Sequence, residues 1–127
     1  MKQVIFLLCC CFQLQIGAMA QSGNLEVGDK AIPFEAVDQH GKMISLSSVL
    51  EKGKVVVLFY RGYWCPFCNK QLMALQDSLS FFQGKNVRII AITPEAPMYV
   101  KKTIEKTGVS FSVLHDKNYT IMKKYGV

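Results

Sequence analysis

Val55-Val56-Val57-Leu58-Phe59-Tyr60-Arg61-Gly62-Tyr63-Trp64-Cys65-Pro66-Phe67-Cys68 is the stretch on which the reading of the whole chain turns. Its first six residues form an unbroken apolar and largely β-branched run, the pattern of a strand covered on both faces. Arg61 to Trp64 make the connection. Pro66 suits a first helical position, where its missing N–H and fixed φ do no harm. Cys68, Leu72, Leu75, Leu79 and Phe82 then recur at intervals of three or four, so the spacing predicts one helix over about 66–82, stopped by Gly84. Asn69, Gln76, Asp77 and Gln83 are expected to point largely away from its apolar face. Cys65 thus stands where a buried strand meets a helix, with Cys68 on the first turn.

Downstream, 87–92 reads as a second buried strand and Thr93-Pro94-Glu95-Ala96-Pro97 as a breaker-rich junction. A helix over about 98–107 closes at Gly108, 111–114 alternates as a third core strand, and 119–125 is helical after the turn Asp116-Lys117-Asn118. Upstream, 34–37 and 43–46 form a hairpin around Asp38-Gln39-His40-Gly41, followed by a brief helical turn over 47–50. Strands separated by helices imply an α/β class, with a parallel sheet, helices packed over it and right-handed crossovers.

The 127 residues allow one domain, and a half-apolar, 19% charged composition makes it globular. Lys2, the apolar run 4–16 and the small residues ending Ala18-Met19-Ala20 have the three parts of a secretory signal peptide. Residues 1–20 are therefore expected to be removed, leaving a domain over 21–127. A buried first strand is the other reading of the same run. The run is too short to span a bilayer, so no transmembrane segment is expected. Export to the bacterial periplasm is the expected destination, with lipid attachment at Cys9-Cys10-Cys11 or full secretion as alternatives. The net charge of +6 falls to +5 without Lys2. Its lysines are dispersed with no aromatic-interleaved stripe, which argues against a nucleic-acid partner.

Three of the five cysteines lie inside this leader, so only Cys65 and Cys68 remain. Two cysteines so close cannot staple a small fold by several bridges. They are a redox pair, half of a metal site or an incidental bridge. Structural zinc needs four ligands, and only His40 and His115 could complete a set. A bridge closing so short a loop would constrain little of the unfolded chain. Strand, helix start and spacing all agree with redox chemistry. At the helix mouth a Cys65 thiolate can accept from unpaired N–H groups at the positive end of the dipole, which lowers its pKa below the free-thiol value of about 8.5. Cys65 is expected to face outward and react, and Cys68 to lie on the packed face and resolve a mixed disulfide. Pro66 stiffens the first turn, Trp64 supplies an apolar platform, and Arg61 favours the thiolate if its side chain folds back.

The segment Tyr60-Arg61-Gly62-Tyr63-Trp64-Cys65-Pro66-Phe67-Cys68 resembles the thioredoxin superfamily, in its alkyl hydroperoxide reductase/thiol-specific antioxidant, or redoxin, branch. The resemblance runs from about Asn24 to Val127. It is carried also by Pro33-Phe34, the Asp38 to Gly41 turn with Lys42, the 89–94 strand end, and Val113-Leu114-His115-Asp116 leading to Tyr125-Gly126-Val127. It implies a thioredoxin-like fold whose mainly parallel central sheet is flanked by helices. The implied activity is that of a thiol-disulfide oxidoreductase or a peroxiredoxin-like thiol peroxidase, with no cofactor and no metal. On this resemblance Cys65 is the attacking (in a peroxidase, peroxidatic) cysteine and Cys68 the resolving one. The substrate is then a disulfide or a hydroperoxide, and an upstream dithiol reductant is the partner.

Typical peroxiredoxins carry Pro-x-x-x-Thr-x-x-Cys, and the matching positions here hold Leu58 and Gly62, a departure that favours disulfide reduction. Family members also continue past Tyr-Gly-Val into a cis-proline loop, a hairpin and a final helix. The domain is accordingly expected to be incomplete at its C terminus, lacking the last hairpin and helix and leaving a sheet edge unpaired. An inactive truncated scaffold is the non-enzymatic alternative.

Overall fold

The computed structural model describes residues 25–127, so the leader expected at 1–20 lies outside the described residues. A hairpin comes first, β1 (Glu35–Val37) antiparallel to β2 (Met43–Ser45). The Asp38 carboxylate ties its turn by accepting from the N–H groups of His40 and Lys42, and Gly41 takes the positive φ of 77° the turn requires. After the short α1 (Leu46–Leu50), three strands alternate with helices: β3 (Lys54–Phe59), α2 (Pro66–Asp77), α3 (Leu79–Gly84), β4 (Val87–Thr93), α4 (Pro97–Thr107) and β5 (Ser112–His115). A 3-10 turn (Lys117–Tyr119) leads into α5 (Thr120–Tyr125). The sheet is parallel in the order β3-β4-β5, with Val57 opposite Ile90 and Ile90 opposite Ser112.

The period of two along each strand divides the core. Ile89, Ala91, Val113 and Tyr60 face one side, where Leu72 of α2 and Val100 of α4 cover them. Ile90, Ile92 and Leu114 face the other, under Phe34, Ala36, Leu46 and Ile121 from the hairpin, α1 and α5. Three layers result, as alternating strands and helices imply.

Two expectations are corrected. The run 55–60 suggested a strand covered on both faces, but that position belongs to β4, which is buried from Ile89 onward, while Val55 to Phe59 of β3 are only half-buried. Composition could not separate the two, since β3 is as apolar as β4 and differs in lying at the end of the strand order. Among the described residues β3 pairs with β4 alone. The opposite edge is covered differently: the Gln39 carboxamide donates to Phe111 O (3.0 Å) and accepts from Val113 N (2.8 Å), pairing with β5 as a strand would.

The expected helix over 66–82 is the second correction, because it breaks at Ser78, which has φ −93° and ψ 3°. The Ser78 N–H ends α2 on Ala74 O, and its carbonyl starts α3 by accepting from Phe81 and Phe82. Leu79 and Phe82 still pack on the core across the break, so the apolar spacing runs through it unchanged.

Asp116 is a buried carboxylate, 1% exposed, at the end of β5. Its Oδ1 accepts from Ile121 N at 2.8 Å and its Oδ2 from Met122 N at 2.9 Å, supplying acceptors to amides in the first turn of α5. What reads in the sequence as a turn residue is the anchor of the last helix.

Candidate active site

The carboxyl end of β3 delivers the chain to the mouth of α2, where Cys65 is the N-cap residue with extended φ/ψ of −85° and 107° and Pro66 begins the helix. Cys65 and Cys68 are joined in a disulfide, with their Cα atoms 5.3 Å apart. Cys65 Sγ also accepts from Cys68 N–H at 3.3 Å, so a first-turn amide already points at the sulfur. Cys68 packs against the core face that contains Leu72 and Val100, as the spacing implied.

Cys65 does not face outward in this oxidised state; it is 4% exposed. Its sulfur is bonded to Cys68 and accepts from the Cys68 amide. The exposed groups are its neighbours, Trp64 at 54% and Phe67 at 81%. Arg61 lies with its guanidinium carbon 4.7 Å from the centre of the Trp64 ring, a cation–π contact that places its charge on the indole. Pro66 sits at the first helical position as expected.

Asn69 was expected to point away from the packed face and is instead 2% exposed. Its Nδ2 donates to Tyr63 O at 2.8 Å, while its Oδ1 has no partner. A turn of chain that must be held in place draws a polar side chain inward, against the amphipathic pattern. Tyr63 N–H is held from the other side by Glu95 Oε2 at 2.8 Å. Burial pushes the Glu95 carboxyl above the ordinary carboxylate range, opposed by the hydrogen bond from Tyr63. The Tyr63 ring stacks on Tyr99 of α4, with centroids 5.2 Å apart and planes 4° from parallel. Tyr60, behind the loop, is buried and directs its hydroxyl to Thr103 Oγ1 at 3.4 Å. Its pKa is raised chiefly by burial.

Glu95 was missed from sequence, where it read as part of a breaker-rich junction. One signal could have found it: it follows the carboxyl end of β4, the side of an open α/β sheet on which sites are built. His40 and His115 are not brought to the cysteines. They line a hollow of about 700 Å³ between α4, β5 and the hairpin turn, and neither cysteine lines it.

The AhpC/TSA family matches residues 27–127. The thiol-disulfide oxidoreductase ResA of Bacillus thuringiensis subsp. konkukian is 34% identical over 130 aligned positions, covering 98% of this chain and 74% of that protein. A protein named as peroxiredoxin bcp from Haemophilus influenzae is 33% identical over 81% of this chain and 66% of its own length. Among solved structures, peroxidoxin BcpB from Mycobacterium tuberculosis superposes with a TM-score of 0.77 at 27% identity, covering 82% of this chain and 68% of that one. The chain therefore spans about two thirds to three quarters of these relatives' lengths. A parallel sheet flanked by helices, a disulfide at the mouth of the helix that follows its first parallel strand, and a family match over most of the chain agree: the protein belongs to the AhpC/TSA family and is a thiol oxidoreductase of thioredoxin-like fold.

Proposed function

We propose that the protein reduces disulfides of exported substrates, with Cys65 as the attacking thiolate and Cys68 as the resolving thiol. The observation that carries this reading is the Cys65–Cys68 disulfide at the N-terminus of α2, with the Cys68 amide on Cys65 Sγ. In the reduced protein, Cys65 thiolate attacks one sulfur of the substrate disulfide, forming a mixed disulfide and releasing the other substrate sulfur as a thiolate. Cys68, deprotonated, then attacks Cys65 Sγ and expels the second substrate thiolate, which takes up a proton. Two electrons pass to the substrate and the enzyme ends as the intramolecular disulfide. An upstream dithiol of lower reduction potential returns it to the dithiol form.

The leader expected at 1–20 supports delivery to the periplasm or outside the cell, where such substrates persist. Cleavage after Ala20 would leave a mature N-terminus at Gln21.

The likeness to a peroxiredoxin and to a peroxidoxin favours a second reading, in which Cys65 thiolate attacks a hydroperoxide. The O–O bond breaks, water or an alcohol leaves, and the resulting sulfenic acid condenses with Cys68 to the same disulfide, releasing water. The test uses reduced mature protein with insulin disulfides and with hydrogen peroxide in separate assays. The proposal expects insulin reduction sustained by an added dithiol, with peroxide consumed at least about tenfold more slowly than by a dedicated thiol peroxidase. Rapid stoichiometric peroxide consumption without insulin reduction would replace it with the peroxidase reading.

A further inference from the structure

Both polar groups of one peptide-bearing residue, Tyr63, are held by side chains from elsewhere in the fold: its N–H by Glu95 Oε2 from the β4–α4 connection, its carbonyl by Asn69 Nδ2 from α2, each at 2.8 Å. Loop backbone normally finds such partners in water or in neighbouring backbone. The residue before it, Gly62, is buried and leaves no space for a side chain. A Cβ there would overlap the Glu95 carboxylate and stand 2.7 Å from Trp64 Nε1. Gly62 O in turn accepts from Cys65 N at 3.1 Å. A continuous set of contacts therefore runs from the Glu95 carboxylate, through Tyr63 and Gly62, to the backbone of the attacking cysteine.

We propose that Glu95 is a positioning residue of this active site, a latch whose carboxylate grips the Tyr63 amide and fixes the 61–64 loop so that Cys65 sits at the helix mouth in attacking geometry. The inference rests on the reading of Cys65 as the attacking cysteine. A carboxylate suits the task because its hydrogen bond to a backbone N–H is charge-assisted and stronger than a neutral one. The same crowding explains Gly62. Any larger residue would push the carboxylate off the Tyr63 amide, so the loop needs glycine for space and the latch needs it for reach.

The test compares Glu95→Ala, Glu95→Gln and Gly62→Ala in the insulin assay. Glu95→Ala removes the acceptor, and its kcat is expected to fall about tenfold with KM within about twofold of the parent. Glu95→Gln keeps an oxygen for the Tyr63 amide and is expected to restore kcat to within about threefold of the parent. Gly62→Ala displaces the carboxylate and is expected to match Glu95→Ala. In the double variant the losses should not add, because they act on one contact. Trp64, the chain's single tryptophan, reports the loop directly: its emission should shift in Glu95→Ala and Gly62→Ala and stay in place in Glu95→Gln. Should Glu95→Ala lose its near-ultraviolet circular dichroism, Glu95→Met, which keeps length and apolar bulk without an acceptor, takes its place in the comparison.

An unchanged kcat in the acceptor-free variant, a glutamine variant as slow as the alanine one, or fully additive losses would each overturn the latch. A parent protein that fails to reduce insulin would instead count against the reading of Cys65. The two failures are thereby kept apart.

Discussion

Cys65→Ser is expected to abolish disulfide reduction, with kcat/KM down at least about 10³-fold, whereas Cys68→Ser should still make the first attack and then stall. The asymmetry follows from position. On the proposed roles, Cys65 is the N-cap residue whose sulfur meets a first-turn amide, the setting that favours a thiolate, and Cys68 lies one turn in, packed against the apolar core, from where it would attack Cys65. In Cys68→Ser the mixed disulfide at Cys65 has no internal resolver, and mass spectrometry of the quenched reaction should find the substrate attached in stoichiometric amount. In Cys65→Ser no adduct should accumulate on the same timescale. Equal trapping by both single variants would reverse or erase the assignment. The fold should survive both changes, because so short a cross-link contributes little to stability.

The largest expected loss of stability comes from a residue outside the cysteine pair. Asp116→Ala leaves the Ile121 and Met122 amides without their acceptors in a buried setting, at a cost of about 1–3 kcal/mol each, so a total near 3 kcal/mol is expected. α5 covers one face of the sheet through Ile121, and Tyr125 packs there on Phe34 and Phe59 with centroids 6.1 and 5.5 Å apart. Loosening its first turn therefore releases packed apolar surface as well. Urea titration should show a lower midpoint at an unchanged slope. Asp116→Asn, which keeps one oxygen acceptor and the shape, should lose about half as much. A loss under about 1 kcal/mol for the alanine variant would mean that the two amides find other acceptors.

The order of elements was legible in the sequence because each strand and helix carries its own period: the unbroken run over β3, the three-and-four spacing of α2, the glycine after α4. The placing of the two cysteines at a helix start was legible for the same reason, since strand, Pro66 and cysteine spacing are all local signals. What could not be read depends on who neighbours whom. β3 and β4 are equally apolar, and only the strand order makes β4 central. Ser78 interrupts the helix without interrupting the apolar spacing. Asn69 looked like a solvent residue because its partner is a loop carbonyl six residues earlier, not a side chain on its own face. Glu95 is 32 residues from the amide it holds, and no local pattern carries that pairing. Cys65 is buried and bonded to Cys68, where the spacing had it facing outward, because its exposure depends on the chain folded around it and not on its place at a helix start.

Ionisation of the two thiols in the reduced protein tests the account most directly. With Cys68 replaced by serine, the thiolate absorbance of Cys65 is followed against pH, and its rate of alkylation is compared with that of Cys68 in the Cys65→Ser protein. A sulfur held by the amides at the start of α2 should ionise at least about one pH unit below the free-cysteine value of about 8.5 and react about tenfold faster at neutral pH than its neighbour. A Cys65 that ionises like free cysteine, with no advantage in rate over Cys68, would contradict it.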